Sequence, residues 1–512
     1  MKIKDLLEGV EIIDRKNEDE NLEISGVYYN SKLVKPGGLF VAIEGLLTDG
    51  HKYIDDAIKN GAIALVVTKD VDVDIPVYKT ENNRKSLAII SGNLYDHPSE
   101  KMTIIGITAS NGKTSTSMML KSILDHAGIE SGLIGTVMYK IRDKEIPSKL
   151  TTPESLELQG LFQEIYEAGM DTTVMEVSSI SQEMCRVYGV DFDIVCMNNI
   201  TREHIDQHGT FEAYFDQKKK LITEAKEDAF VILNLEDDHA KSLINETKGN
   251  IISFSDKDES ADIYAKDIDI SSGFGKYKLV ITREIKTKKA VMKPGEYDIS
   301  LKVAGYHSVV NSISAIAMAI AYGIDIDDII AGIENYRGIE RRFQLIYDDE
   351  FMIVDDHFAN MGNISMTLQT LSLMNYKKAH MLYAIRGNRG VTVNGENVDT
   401  IIKWSDRVKF DNFIATKSVE IVDDHDIVSA EEEDIFKRKM DEAGIEYELM
   451  DNLHESIDAV LNKAEEGDLV LLAGCQGMDF GAKIALENIS ARYPEKDKDK
   501  LFEVLKDRVA GV

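Results

Sequence analysis

The stretch GITASNGKTSTS, residues 106–117, gathers the residue types that hold a polyphosphate. Gly112 lets the backbone close on phosphate oxygens, Lys113 is a cation for the β and γ phosphates, and the Thr114 hydroxyl is a ligand type for Mg2+. Asn111 and Ser115 flank them. A helix opening here adds the partial positive charge of its N-terminus. The spacing departs from the strict G-x-x-x-x-G-K-[ST] pattern, because five residues, not four, separate Gly106 from Gly112. The plain alternative is a helix start with a chance Gly-Lys-Thr. A strand-like run before the loop and a helical pattern after it argue for the phosphate reading. Such a loop does not say what the phosphate is for.

MEVSS (175–179) closes an apolar strand pattern with Glu176 near the edge where α/β sheets bind ligands. Glu176 reads either as a capped strand end or as a direct or indirect ligand for Mg2+. NNITREHIDQHG (198–209) carries His204, Asp206 and His208. A zinc-protease reading fails, because that motif needs Glu directly after its first His and this chain has Ile205. A surface histidine pair and a neutral imidazole joining Glu176 around a metal both remain open. In AYFDQKKKLI (213–222), Lys218, Lys219 and Lys220 taken alone read as a solvated helix face.

The elements that must position these groups alternate. From residue 103 a strand runs into the loop, a helix follows over 113–127, and TTVMEVSS, DIVCMNN and AFVILNLED read as further strands between helical patterns. That alternation predicts a parallel sheet covered by helices on both faces. Residues 251–303 carry turn signals and read as an antiparallel β insert. Before residue 98, GGLFVAI and AIALVV are strand-like, with a helix between them. After 337, FMIVDD, AHMLYAI, NFIAT and DLVLLAG predict a second α/β sheet. The expected fold class is therefore α/β in three domains: a small α/β domain over 1–100, a central P-loop domain with a β insert over 101–336, and a Rossmann-like domain over 337–512.

Net charge of −31 argues against a nucleic-acid partner, since phosphate backbones need clustered Lys and Arg. An anionic substrate then needs a locally basic pocket. The 43% hydrophobic and 29% charged content is that of an ordinary globular protein. The three cysteines form no CxxC pair, which fits a reducing cytoplasm better than a disulfide framework or zinc ribbon. No apolar run reaches the roughly 18 residues of a membrane span, so no membrane insertion is expected.

TASNGKT, MEVSS, NITREHIDQH and YFDQK occur in this order, and together they resemble the core of the Mur ligase family of ATP-dependent amide ligases, in particular the MurE-like subfamily that adds the third residue of the peptidoglycan peptide. The likeness continues upstream in YNSKLVKPGGLFVAIEGLLTDGHKYIDDAIKNGAIALVV (29–67), which resembles the family's uridine-nucleotide domain, and in LTTPE (150–154). Downstream it includes GYHSVVNSISAIAMA (305–319), RRFQ (341–344) and VDD (354–356).

The resemblance implies that Asn111, Gly112, Lys113, Thr114 and Ser115 hold ATP, with Thr114, Glu176, His204 and Lys218 at the metal-binding positions. Lys113, Glu176, His204 and Lys218 would be catalytic. Lys218 matches a lysine that the family carries as a carbamate, a change that turns a cation into the anionic oxygen donor Mg2+ prefers. Asn311 would face adenine, Asp355 the ribose, and Arg342 the nucleotide. Ser31, Thr151, Thr152, Ser178 and Arg186 match contacts to the UDP-linked peptide, whose partner is a free amino acid. A monomer is expected.

The match breaks in places. Ala109 and Ser110 replace the usual Gly-Thr, Ile180 a His, Met184 a Gln, and His307 an Asn. DDHFANMGN and AGCQGMD replace DYAHTPD and AGKGHE, and the Asp-Asn-Pro-Arg motif that reads diaminopimelate is absent. The expected incoming residue is lysine or another amino acid, not diaminopimelate; an archaeal relative building pseudomurein peptides is the alternative. Folylpolyglutamate synthetases share the core but lack the uridine domain, and a P-loop switch would hydrolyse ATP without an amino acid.

Overall fold

The computed structural model describes residues 1–45, 48–201, 208–338, 341–506 and 508. The chain divides into two compact units: Met1–Ala265 with Leu279–Glu296 and Asn311–Ile333, and Lys266–Lys278 with Tyr297–Val310 and Glu334–Val512.

The first unit starts with a five-stranded sheet of β1 (Ile12–Lys16), β2 (Gly26–Tyr28), β3 (Gly38–Val41), β4 (Ala62–Val67) and β5 (Val77–Thr80), in the order β1-β5-β4-β3-β2. Only β1 runs antiparallel to its neighbour. β4 is AIALVV, and all but Ile63 of it is buried. A near-continuous apolar run of this kind suits a strand covered on both faces.

A larger sheet follows: β6 (Thr103–Thr108), β7 (Gly132–Ile134), β8 (Met138–Ile141), β9 (Lys144–Pro147), β10 (Thr172–Glu176), β11 (Ile194–Met197), β12 (Phe230–Asn234) and β13 (Asn250–Ser255), in the order β13-β12-β11-β6-β10-β7-β8-β9. β6 lies between β11 and β10, both parallel to it, so the loop after β6 emerges among the ends of central strands. The insert expected over 251–303 begins later. β13 pairs parallel with β12 from Asn250 to Phe254, and Phe254 and Ser255 pair parallel with Ile263 and Tyr264 of β14 (Ile263–Asp269). The apolar run that β13 contributes, buried from Ile252 to Ser255, belongs to the covered sheet, and the turn signals that suggested a hairpin act only downstream of it. There the chain forms β15 (Phe274–Ile281), the antiparallel pair β16 (Ile285–Lys286) and β17 (Val291–Met292), and β18 (Gly295–Ala304).

In the second unit, β19 (Gln344–Asp348), β20 (Met352–Asp356), β21 (Ala379–Ala384), β22 (Phe410–Thr416), β23 (Glu448–Met450) and β24 (Leu469–Ala473) form a six-stranded sheet ordered β19-β20-β24-β21-β22-β23. All pairs except β19–β20 are parallel. One apolar layer includes Tyr383, Phe413 and Phe436, and the other Ile457, Leu461 and Leu486. Among the described residues, no helix is long and apolar enough to cross a membrane.

Candidate active site around the phosphate loop

The loop between β6 and the helix Lys113–His126 turns at Gly112, whose φ of 88° lies in the left-handed region. A Cβ there would collide with Asn311 Oδ1. Asn311 is buried, and its Nδ2 has no hydrogen-bond partner. A buried unpaired amide beside a glycine that alone keeps the loop open is the kind of orphan a ligand satisfies. The loop is pinned from beneath: Asn111 N donates to Asn199 Oδ1 and Asn199 Nδ2 returns a bond to Asn111 O, both at 2.9 Å. Ser110 bonds the Tyr214 hydroxyl at 2.8 Å and accepts from Thr201 N at 2.8 Å. Its hydroxyl staples the loop to the neighbouring segment.

Lys113 Nζ donates to the carbonyls of Ala109 at 2.7 Å and Ser110 at 3.1 Å, so the ammonium lies over its own loop. Thr114 and Ser115 stand half-buried in the first helical turn. Glu176 ends β10 and is fully buried. Its Oε2 accepts from Thr114 Oγ1 at 3.1 Å, and Thr136 donates to both oxygens, N to Oε1 and Oγ1 to Oε2, each at 2.9 Å. Because Thr114 turns its proton toward Glu176, its lone pairs are left for a cation. A hydroxyl and a carboxylate side by side are the all-oxygen donor set Mg2+ favours, and the residues present fit both the nucleotide and the ion.

Lys218 is not on a solvated face. On the helix Phe211–Thr223 the buried positions are Tyr214, Lys218, Leu221 and Ile222, one apolar stripe at helical spacing. Lys218 is carried into the core by that stripe, while Lys219 and Lys220 are half-exposed. Its Nζ donates to Ala109 O at 2.7 Å and Thr108 Oγ1 at 3.3 Å, at the root of the phosphate loop. His204 lies outside the described residues. His208 is a buried tie: Nε2 lies 3.0 Å from Ser179 Oγ and Nδ1 3.0 Å from Glu183 Oε2.

The residues expected to meet the UDP-linked substrate adjoin this carboxylate. Thr152 Oγ1 donates to Glu176 O at 2.9 Å and accepts from Ser178 N at 3.2 Å, and the Ser178 hydroxyl caps the helix Ser179–Glu183. Thr151 Oγ1 lies 3.1 Å from Thr136 Oγ1. Arg186 donates to Thr152 O at 3.1 Å and pairs with Glu154 at 2.9 Å, and Glu154 also pairs with Arg84 at 3.1 Å. One carboxylate between two guanidiniums leaves the local basic surplus that an anionic substrate needs in an acidic protein. Ser31 is apart from this group, buried at the start of a short turn in the first sheet's domain. Sequence reasoning missed Thr136, Asn199, Glu154 and Arg84. Glu154 stood inside the quoted LTTPE motif and Asn199 inside the quoted NNITREHIDQHG stretch; Thr136 and Arg84 had no local signal.

In the second unit, Arg342 is exposed and Asp355 is fully buried. Asp355 Oδ2 lies 2.7 Å from Arg508 Nη2, and Arg341 Nε lies 3.5 Å from its Oδ1. Burial lifts the neighbouring Asp356 carboxyl to about 7 and pushes His357 down to about 3, the latter helped by Arg341, Arg342 and Arg386. The other group of metal-ligand types among the described residues, Glu44, Asp49 and His51, is already paired: Lys69 bridges the two carboxylates at 2.8 and 2.5 Å, and Thr68 N donates to His51 Nε2.

A parallel sheet with a glycine-turned loop, a helix N-terminus, an oxygen-donor pair and two lysines at the loop root defines an α/β P-loop protein built for phosphate chemistry. Comparison with known proteins gives the family. Residues 23–99 match the Mur ligase family catalytic domain, 107–319 the Mur ligase middle domain, and 341–476 the Mur ligase glutamate ligase domain. The UDP-N-acetylmuramoyl-L-alanyl-D-glutamate–2,6-diaminopimelate ligase of Caldanaerobacter subterraneus subsp. tengcongensis is 33% identical over 484 residues, 93% of this chain and 94% of the relative. That of Listeria monocytogenes is 30% identical over 489 residues, 94% of each chain. A solved diaminopimelate ligase of the same description superposes with a TM-score of 0.73 at 22% identity, covering 96% of this chain and 99% of the other. A pseudomurein peptide ligase type C from Methanothermus fervidus gives 0.53 at 17%, covering 88% and 94%. The chain belongs to the Mur ligase family and is an ATP-dependent ligase that forms amide bonds.

Proposed function

We propose that this enzyme joins an amino acid to the terminal carboxylate of a UDP-linked peptide, through an acyl phosphate. The observation that supports the reading is the Thr114–Glu176 pair, a hydroxyl and a carboxylate linked on one side to the Lys113 loop and on the other to Thr152 and, through it, Arg186, an oxygen pair that would suit Mg2+. In the first step a carboxylate oxygen of the peptide attacks the γ-phosphorus, the bond to the bridging oxygen breaks, and ADP leaves. In the second step the amine attacks the activated carbonyl carbon, the carbon–oxygen bond to phosphate breaks, and the amine loses a proton as phosphate departs. Two anions must approach in the first step. Lys113, swung from its own loop carbonyls, would meet the γ-phosphate, and the Arg186–Arg84 pair would hold the anionic carrier. Mg2+, held by Thr114, Glu176, His204 and Lys218 as a carbamate, would supply the remaining charge neutralisation and orient the phosphates. Asn311 Nδ2 is available to an acceptor on the adenine base.

The incoming residue is lysine or another amino acid rather than diaminopimelate. The relatives above are diaminopimelate ligases, yet the Asp-Asn-Pro-Arg motif that reads diaminopimelate does not occur in this chain. The test is ADP release from purified enzyme with a UDP-linked muramoyl dipeptide and a panel of amino acids. Release that needs both the carrier and an amino acid supports ligation. Release without either sinks it, and a response to diaminopimelate alone overturns the assignment of the incoming residue.

A further inference from the structure

The hydroxyl protons around Glu176 can be assigned one by one. A threonine hydroxyl has one proton and two lone pairs. Thr136 Oγ1 directs its proton to Glu176 Oε2 at 2.9 Å, so its 3.1 Å contact with Thr151 Oγ1 must use the proton of Thr151. The order of donation is Thr151 to Thr136 to Glu176, with Thr114 donating to the same Oε2 from the loop side. Thr136 sits in the turn between β7 and β8 and is exposed, whereas Glu176 beneath it is fully buried. Gly135 makes this stacking possible, since a Cβ there would lie 2.5 Å from Glu176 Oε1.

We propose that Thr136 is a positioning residue that, through its amide on one oxygen and its hydroxyl on the other, fixes the plane of the Glu176 carboxylate for the cation and turns the lone pairs of Thr151 outward. This rests on the reading that Thr114 and Glu176 hold a divalent ion and that Thr151 faces the carrier. With its own proton committed inward, Thr151 accepts from an N–H or O–H group of the substrate. Nothing in the sequence marks Thr136, which lies far from both the loop and Glu176 in the chain and joins them only through the β7–β8 turn.

Mn2+ binding, read by electron paramagnetic resonance in the presence of a non-hydrolysable ATP analogue, tests this without turnover. Thr136→Val keeps the shape and the backbone donor but removes the hydroxyl; Thr136→Ser keeps the hydroxyl. The expected result is Mn2+ binding weakened about tenfold or more by Val and changed less than about twofold by Ser, the range typical of residues that orient a metal ligand. Unchanged melting of the metal-free proteins separates this from a folding defect, and Thr136→Ala replaces Val if that variant melts early. Val binding Mn2+ as tightly as the parent, or Ser losing as much as Val, overturns the role of the hydroxyl. A parent protein that binds no Mn2+ with nucleotide overturns the underlying metal reading as well, and is told apart because the loss is already present before any substitution.

Discussion

Lys113 and Lys218 donate to the same backbone oxygen, that of Ala109, each at 2.7 Å. Two ammonium groups converge on one carbonyl at the root of the phosphate loop. They have different fates in the proposed reaction. Lys113 would reach forward to the γ-phosphate, while Lys218, held in the core by its helix, would serve the metal only as a carbamate, whose oxygens replace the ammonium.

Replacing Lys113 with Ala removes the cation closest to the transferred phosphate. Acceptor-dependent ADP release is expected to fall by about a hundredfold or more, the scale seen when one donor to a developing charge is lost. Near-normal turnover in that variant would falsify the assignment of the loop.

For Lys218, the expected behaviour is chemical rescue. Lys218→Ala should lose ligation, and high bicarbonate or a short-chain carboxylic acid should restore part of it by supplying the missing oxygen donor. Loss without rescue, with the variant still folded by circular dichroism, counts against the carbamate.

Gly112 and Gly128 form an internal comparison. Both have positive φ, 88° and 72°, but a Cβ at 112 meets Asn311 while one at 128 meets nothing within 4 Å. Alanine at either position carries the backbone cost of about 1–2 kcal/mol. Only Gly112→Ala should also abolish ADP binding in a calorimetric titration; equal binding by both variants would remove the steric argument.

Asp356 makes stability depend on pH. Its folded carboxyl is lifted to about 7 by burial, against amide donors from Phe343 at 3.0 Å and His357 at 2.9 Å. The folded chain therefore keeps a proton that the unfolded chain releases near pH 4. This contribution is full below pH 4 and is lost as pH rises through about 7. His307 and His357, pushed down to about 4 and about 3 chiefly by burial, act in the opposite direction: their contribution is full above the ordinary imidazole value and is lost as pH falls. Comparing Asp356→Asn with the parent isolates the first effect. The variant's gain in unfolding free energy should grow between pH 4 and 7 with a slope approaching about 1.4 kcal/mol per pH unit, then level. A pH-independent difference in urea titrations would contradict it.

Arg186→Lys keeps the charge but loses the fork that grips Thr152 O and Glu154 together. The KM for the UDP-linked peptide should rise by about tenfold with kcat nearly unchanged, as for loss of uniform binding. A fall in kcat alone would place Arg186 in the chemistry instead of the carrier site.

Much of this protein was legible in its residues. Alternating apolar runs and helical stripes predicted the covered parallel sheets, because burial on both faces demands continuous apolar strands such as AIALVV and TTVME. NGKT between a strand pattern and a helix pattern pointed to a phosphate loop, since a glycine, a cation and a hydroxyl are needed there together, whereas the parts of Glu176 and Lys218 came only from the resemblance to the Mur ligase family. The strand Asn250–Ser255 overlaps the start of the insert expected over 251–303 yet belongs to the parallel sheet, because turn signals downstream say nothing about which neighbour a strand pairs with. What only tertiary structure decided is direction and company. A run of three lysines does not reveal which one an apolar stripe draws inward, and that depends on what the helix Phe211–Thr223 packs against. Nor could spacing show that Thr136 clamps Glu176 or that Glu154 joins Arg84 to Arg186, because hydrogen bonds between distant segments exist only once the chain has folded.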